Sequence, residues 1–163
     1  MTKYKFELTK QNGDIQISAK ERATGVIHGY VQISSSKTLE DKDLIEIAQL
    51  FVNQNIRGSG LGSELASRAI EYALKANKGI QMMIQPGSVG FWKKYFNNRF
   101  DGRRMTLFGG EALNSKLSDG VVFEISMMSI IKNYKFPLDE SLRAPGIERI
   151  CQYISWSILN KQF

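Results

Sequence analysis

Residues 55–70 read NIRGSGLGSELASRAI, in which Gly58, Gly60 and Gly62 alternate with other residues just before a stretch that favours a helix. Glycine has no Cβ, so a ligand can approach its main chain closely and the main chain can adopt positive φ angles. A helix N-terminus adds unpaired N–H donors and a partial positive charge. This stretch therefore predicts a site for a phosphate group.

The segments on either side of these glycines predict a strand, a helix and a second strand. Residues 44–54 (LIEIAQLFVNQ) are apolar and β-branched, which is typical of a strand in the middle of a sheet. Apolar residues recur at helical spacing over 61–76, and 79–86 (GIQMMIQP) is again strand-like up to its proline. This order predicts a right-handed βαβ unit with the glycines at the N-terminus of its helix.

The remaining segments complete a sheet of about seven strands. Residues 3–20 contain two alternating stretches around the turn sequence QNGD, which predicts a hairpin, and 25–35 predicts a third strand. A short helix is expected over 88–96, and strands are expected over 100–108 and 119–128. We therefore expect an α+β (α/β) fold with a mixed, mostly antiparallel central sheet.

A change in composition divides the chain into two parts. Residues 1–132 carry the predicted sheet and its helices, whereas 133–163 predict a proline-containing linker followed by an amphipathic helix. The apolar stripe of that helix consists of Ile147, Ile150, Cys151, Ile154 and Ile158. Such a stripe needs a partner surface, so we expect it to pack on residues 1–132 or on a second copy of the chain in a homodimer.

Composition and charge exclude several classes of protein. The chain has one cysteine, Cys151, and one histidine, His28, so neither a disulfide framework nor a common zinc site is expected, and we predict no metal. No apolar segment reaches the length of a signal-peptide core or a membrane span, so we expect a cytoplasmic protein that does not enter a membrane. The net charge of +6 favours anionic partners and disfavours polyamines. Part of this charge lies in residues 93–104, which form either a solvated face or an edge that faces phosphate.

Several kinds of loop compete for these glycines. A nucleoside-triphosphate loop requires a lysine directly after its last glycine, and no such lysine follows Gly60 or Gly62. A dinucleotide-binding loop is weakly supported, because Ser63 stands in the place of its third glycine and the next strand ends without an acidic residue. A tight turn alone needs only one glycine. What remains is a glycine-rich connection from a strand to a helix, in line with the phosphate site predicted above.

The sequence RGSGLG at 57–62, placed after a strand, resembles the acetyl-coenzyme A (acetyl-CoA) pyrophosphate loop of the GCN5-related N-acetyltransferase (GNAT) superfamily. Further along, SVGFWKKYF at 88–96 is similar to the second signature of that family, and VGFWKK is particularly similar to its histone-acetyltransferase branch. The resemblance extends over residues 25–130. It implies an acetyl-CoA-dependent N-acetyltransferase, with acetyl-CoA as co-substrate and an amine of a small molecule or a protein as acceptor.

The resemblance also assigns residues to the binding of acetyl-CoA. In this superfamily successive main-chain N–H groups hold the pyrophosphate, which implies a cradle made of Arg57, Gly58, Ser59, Gly60, Leu61, Gly62 and Ser63. It further implies that the fourth and fifth strands separate, so that main-chain groups near Phe51 and Val52 hydrogen-bond the pantetheine arm. Trp92, the second residue of an aromatic pair, is assigned to the same site.

Few side chains are available for proton transfer. Glu46, eleven residues before Arg57, stands where many relatives carry a glutamate that acts as general base. The alternative is that Glu46 forms an ion pair with a lysine at the protein surface. Many relatives place an acid tyrosine second in the aromatic pair, where this chain has Trp92. Tyr95 is then the nearest substitute, unless the thiolate leaves unassisted or is protonated by water.

The acceptor side departs from the family pattern. Relatives usually insert one or two helices between the first and second strands to wall the acceptor pocket, whereas QNGD leaves room only for a tight turn. The sequence therefore does not identify the acceptor. We expect acetyl transfer through a direct ternary complex. The alternatives are a non-catalytic acyl-CoA-binding sensor and an interaction module, although a nucleic-acid partner for the basic segment 93–104 is not expected.

Overall fold

The computed structural model describes residues 3–100, 113 and 117–133. They form one sheet with the strands β1 Tyr4–Gln11, β2 Asp14–Glu21, β3 Ile27–Ser34, β4 Leu44–Val52, β5 Gly79–Met83 and β6 Val122–Ile125. The helices with described bounds are α1 Lys37–Asp41, α2 Leu61–Lys75, α3 Val89–Arg99 and α4 Met127–Asn133. A 3-10 turn, Gln54–Ile56, follows β4.

The strands lie side by side in chain order. Every neighbouring pair is antiparallel except β4 and β5, which run parallel. A parallel pair needs a crossover connection, and α2 provides it by packing against the sheet. This arrangement confirms the predicted mixed, mostly antiparallel sheet with a central βαβ unit. The part of the chain that the structure describes contributes six strands, one fewer than expected.

The N-terminal hairpin turns at Asn12 and Gly13, whose φ angles are 51° and 84°. A turn with two positive φ angles matches the right-handed twist of the strands beside it, which is why Asn-Gly favours a two-residue hairpin. The two strands pair along their whole lengths. As the sequence predicted, no helix lies between β1 and β2.

The two faces of the sheet differ in what covers them. A Cβ on Gly29 of β3 would lie 3.1 Å from Leu65 Cδ1 of α2, so this helix covers the side of β3 to which Gly29 belongs. Because side chains alternate along a strand, Val31 and Ile33 share this helix-covered face, and both are buried. The other strands add Ile17, Ile45, Ile47, Ile80, Met82, Phe123 and Ile125 to the same core. The opposite face of β3 carries Tyr30, Gln32 and Ser34.

Two short helices were not predicted. Ser36 caps α1, because its Oγ accepts a hydrogen bond from the N–H of Leu39 at 3.2 Å. The strand predicted over 119–128 is too long, since its last two residues belong to α4. Ser126 Oγ accepts from the N–H of Ser129 at 3.1 Å, and such a serine cap favours a helix over a continued strand.

Two further expectations lie outside the described residues. These are the strand at 100–108 beyond Phe100, and the linker and amphipathic helix beyond Asn133, which include Cys151. Among the described residues, every helix is too short or too polar to span a bilayer.

Gly79 opens β5 in a place with no room for a side chain. A Cβ there would overlap the carbonyl oxygen of Ile125 and lie 3.0 Å from Leu44 Cδ2. We therefore expect Gly79→Ala to lower the free energy of unfolding by about 2–3 kcal/mol through overpacking, measured by urea denaturation. Gly90→Ala on α3 is the control, because a Cβ there meets nothing within 4 Å, and helix propensity predicts a gain of about 0.5–1 kcal/mol. Equal unfolding midpoints for the two variants would contradict this packing.

Candidate active site

β4 and β5 separate partway along their lengths. They pair from Leu44 with Gly79 to Ile47 with Met82, and β5 ends one residue later, while β4 continues to Val52. Pairing with β3 holds the rest of β4 in the sheet. A cavity of about 840 Å³ occupies the space between the two strands and extends to α2 and α3.

A β-bulge at Ala48 accompanies this separation. Gln32 pairs with Gln49, and Ile33 pairs with Ile47, so Ala48 is an extra residue without a partner on β3. A bulge bends its strand and increases the local twist. β4 therefore changes direction at the position where its pairing with β5 stops.

Leu50 and Val52 direct their main-chain groups into the cavity. The N–H of Asn53 donates to the main chain of β3 at 2.8 Å, so that residue belongs to a hydrogen-bonded pair. In an antiparallel ladder such pairs alternate with pairs whose N–H and C=O groups point outward. Because the pairs alternate, the main-chain groups of Phe51, two residues before Asn53, bond to β3. Those of Leu50 and Val52 therefore point away from β3, toward the space beside β4 where β5 has ended. Arg57 already contacts one of these groups, because its Nε donates to Val52 O at 3.1 Å.

Leu50 is a candidate that sequence analysis did not single out. Phe51, which it did single out, is also a lining residue of the cavity, and its ring is 42% exposed and stacks on Tyr30 of the opposite face with ring centroids 5.4 Å apart. The direction of a main-chain group depends on the register of the ladder. A bulge changes that register, and no turn-forming residue in the sequence marks Ala48 as bulged.

The glycine-rich loop forms one end of the cavity. Gly58 and Gly60 have φ angles of 85° and 91°, and a Cβ on either would meet nothing within 4 Å. At these two positions the backbone conformation, rather than crowding, favours glycine. A Cβ on Gly62 would instead lie 3.1 Å from Phe91 Cε2. The loop residues that line the cavity are Arg57, Gly58, Gly60, Leu61, Gly62 and Ser63. Ser59 lies outside this lining, and its N–H donates to the preceding turn at 3.3 Å.

This end of the cavity is suited to an anion. α2 begins at Leu61, and the first N–H groups of a helix have no partner within it. The helix dipole adds a partial positive charge at the same place. Arg57 and Lys94 line the cavity and add two full positive charges. A diphosphate can therefore receive several hydrogen bonds here and have its charge neutralised.

α3 supplies an aromatic wall. Phe91, Trp92 and Tyr95 line the cavity, and their rings contact one another at centroid separations of 4.9, 5.8 and 6.2 Å. Trp92 and Tyr95 are buried, with 4% and 1% of their surface exposed. The Tyr95 hydroxyl lies 2.9 Å from Ser67 Oγ of α2, which joins the two helices. Both residues singled out on α3 are thus part of the core as well as of the cavity.

Glu46 lies on the opposite face of the sheet, just before the bulge. It pairs across the sheet with Ser34 of β3 and Gln81 of β5, and it is half-buried. It does not line the cavity, whose first lining residue on β4 is Ile47. The structure therefore places Glu46 beside the point where the strands separate, on the other side of the sheet from Tyr95.

His28 does not line the cavity. Its Nε2 lies 3.0 Å from Glu21 Oε2, and its Nδ1 lies 3.4 Å from the Tyr4 hydroxyl. Within the described ranges, no three histidine, cysteine, aspartate or glutamate residues lie close enough together to hold a metal ion. Of the basic cluster within 93–104, the structure describes Lys93, Lys94 and Arg99.

Comparison with known proteins identifies relatives of this chain. A family model described as Acetyltransferase (GNAT) family matches residues 3–97, more than half of the sequence. An uncharacterized N-acetyltransferase of Methanocaldococcus jannaschii is 33% identical over 60 residues, a match that covers 34% of this chain and 26% of that protein. The chain therefore matches about a quarter of the length of this curated relative.

Solved acetyltransferase structures share the fold. Tetrahymena GCN5 is 17% identical with a TM-score of 0.50, and the match covers 72% of this chain and 70% of that one. Mutant forms of the spermidine/spermine N-acetyltransferase SpeG from Vibrio cholerae are 14% identical with a TM-score of 0.53, over 75% and 69% of the two chains. At these identities the likeness concerns the fold alone, and it confirms the fold that the sequence predicted.

Proposed function

This chain belongs to the acetyltransferase (GNAT) family, and we propose that it is an N-acetyltransferase that transfers an acetyl group from acetyl-CoA directly to an acceptor amine within a ternary complex. The observation that supports the proposal is the cavity between β4 and β5. The glycine-rich loop and the outward-facing main-chain groups of β4 line this cavity, and Glu46 lies beside the point where the strands separate, on the other face of the sheet. This arrangement corresponds to the diphosphate, the amide-containing arm and the thioester of acetyl-CoA.

The glycine-rich loop fits the diphosphate. Gly58 and Gly60 have no side chain and no neighbour within 4 Å of the place where a Cβ would lie, so phosphate oxygens can come within about 3 Å of the N–H groups. Arg57, Lys94 and the N-terminus of α2 offset the negative charge. We assign diphosphate binding to Arg57, Gly58, Gly60, Leu61, Gly62 and Ser63, which line the cavity, and not to Ser59, whose N–H already donates to Ile56 O at 3.3 Å.

The edge of β4 fits the arm. The outward-pointing groups of Leu50 and Val52 can pair with amides of the arm, as a sheet edge pairs with an added strand. Phe51 and Trp92 line the same cavity and cover apolar parts of the ligand. From Val52 to Ala48 the strand spans about 13 Å, so the arm leads from the loop toward the separation point.

Acetyl-CoA supplies an activated thioester, and the acceptor amine must lose a proton before its nitrogen attacks. Glu46 is the carboxylate beside the separation point, and we assign it the removal of that proton, directly or through a water molecule. A main-chain N–H of β4 near Leu50 donates to the carbonyl oxygen, where negative charge develops. Tyr95, held by Ser67 at 2.9 Å, is the proposed proton donor to the leaving sulfur.

Two observations favour a second candidate function, an acyl-CoA-binding sensor without turnover. Glu46 lies on the opposite face of the sheet and does not line the cavity. Trp92, whose side chain has no titrating proton, stands where the family signature has an acid tyrosine. A sensor would bind acetyl-CoA through the same loop and strand edge but would release no thiol in the presence of amines.

The loop assignment predicts that Gly60→Ala weakens acetyl-CoA binding at least about tenfold, because an alanine at a φ of 91° displaces the N–H groups around it. Isothermal titration calorimetry measures the dissociation constant. Gly25→Ala is a matched control, since Gly25 also has a positive φ, 74°, but lies in the β2–β3 loop. If both variants bind acetyl-CoA as tightly as the wild type, the loop does not hold the cofactor.

The general-base assignment predicts that Glu46→Gln lowers the rate of acetyl-CoA-dependent thiol release by about a hundredfold and leaves the dissociation constant of acetyl-CoA unchanged. The assay uses a panel of primary amines, peptide lysines and peptide N-termini. Glu40→Gln, an exposed position on α1, is the control and should release thiol at the wild-type rate. Equal rates for wild type and Glu46→Gln would contradict the role of Glu46. No release by the wild type with any acceptor would favour the sensor.

A further inference from the structure

Four polar side chains form a row across the opposite face of the sheet. The register pairs Ser34 of β3 with Glu46 of β4, Glu46 with Gln81 of β5, and Gln81 with Glu124 of β6. Cross-strand partners share a face, so all four project from the side that α2 does not cover. Each is half-buried, so each exposes part of its surface to solvent or to a ligand. We call this set the polar row.

The polar row lies beside the point where β4 and β5 separate, on the face of the sheet opposite the helices, and none of its residues lines the cavity. The pairing of β4 with β5 stops at Ile47, one residue after Glu46, and the bulge at Ala48 follows. On the helix-covered face this point is next to the cavity, which is lined by the aromatic side chains of α3 and is where the proposed function places acetyl-CoA. An acceptor that reaches the separation point from the opposite face therefore passes beside the polar row.

Two carboxylates flank Gln81 in this row. Glu46 and Glu124 are two strand spacings apart, which puts their α-carbons about 10 Å from each other. Lys42 Nζ lies 3.2 Å from Glu124 Oε1, but the Lys42 side chain is 52% exposed, so this ion pair is weak. The second oxygen of Glu124 can still accept a hydrogen bond from a ligand. The row therefore holds a local excess of negative charge.

For an acceptor bound at the polar row, the negative charge nearby has a larger effect than the net charge of +6 of the whole chain. At physiological ionic strength exposed charges farther away than about 8–10 Å are largely screened. Glu46 and Glu124 belong to the row and Lys42 contacts Glu124, and the charges of these three residues sum to a negative value. The positive net charge of the chain disfavours the approach of polycations, but it has much less effect on contacts within the site.

We propose that Glu124 determines acceptor specificity by selecting an amine that carries a second positive charge, a diamine. The inference rests on the proposed function, in which Glu46 deprotonates the reacting nitrogen. Glu124 binds the other ammonium group, and Gln81 lies between them and contacts the carbon chain. The α-carbons of the two glutamates are about 10 Å apart, a spacing that a short diamine bridges when each ammonium group lies about 2.8 Å from a carboxylate oxygen.

The test compares putrescine with n-butylamine, two probes of equal carbon number that differ in the second amino group. With acetyl-CoA saturating, thiol release gives kcat/KM for each probe. We expect the wild type to prefer putrescine by about tenfold, the effect of one partly exposed charge-assisted hydrogen bond. Glu124→Gln should bring the ratio close to one. Lys42→Gln should raise the ratio, because Glu124 then loses its competing cation.

Glu7→Gln is the matched control. The substitution removes the same charge from the same face of the sheet. Glu7, however, lies on β1 at the other edge of the sheet, where its Oε2 is 3.8 Å from Lys20 Nζ. We expect its putrescine preference to equal that of the wild type. Because the readout is a ratio, a general loss of folded protein does not change it.

The outcomes separate this inference from the proposed function. A wild-type ratio near one, or a preference that survives Glu124→Gln, overturns the role of Glu124, while thiol release with either probe still supports acetyl transfer. No release with putrescine also overturns the inference. The proposed function itself fails only if no acceptor in the wider panel of amines, peptide lysines and N-termini supports release.

Discussion

The end of pairing between β4 and β5 at Ile47 and Met82 is the constraint on which the candidate site depends. A main-chain N–H or C=O group that is buried without a partner costs free energy, so a strand rarely leaves a row of them unpaired. Here β4 keeps its ladder to β3 and directs the outer groups of Leu50 and Val52 into an open cavity. Arg57 contacts one of them. The rest of this edge can pair with a ligand that itself contains amides.

The same separation divides the chemistry between the two faces of the sheet. On the helix-covered side, α3 presents aromatic rings and the buried Tyr95 hydroxyl. On the opposite side, Glu46 and its cross-strand neighbours present polar groups. In acyl transfer the attacking nitrogen and the leaving sulfur are different atoms, so a base and an acid can act from different sides of the gap. The placement of Glu46 and Tyr95 on different faces is therefore compatible with a single reaction between them.

Local signals made part of this structure predictable. Asn12-Gly13 specifies the hairpin, and the spacing of apolar residues around Gly58–Gly62 specifies a strand, a loop and a helix, because each depends on neighbours in the chain. The bulge at Ala48 depends on how β3 and β4 align, and alanine carries no signal for it. That alignment determines the direction in which the main-chain groups of Leu50 point and the face of the sheet on which Glu46 lies. The sequence could therefore identify the region of the site but not these geometric details. The short helices α1 and α4 were missed because each is only five to seven residues long and begins at a single serine cap.

In the proposed site, the outward main chain of β4 and the glycine-rich loop bind one extended ligand together. Amide NMR spectra of nitrogen-labelled protein, recorded while coenzyme A is added, test it most directly. We expect the largest shifts at Leu50, Val52, Gly60 and Gly62, at the same coenzyme A concentration, with the β1–β2 hairpin unaffected. Shifts in the loop without shifts on β4, or shifts centred on the hairpin, would contradict it.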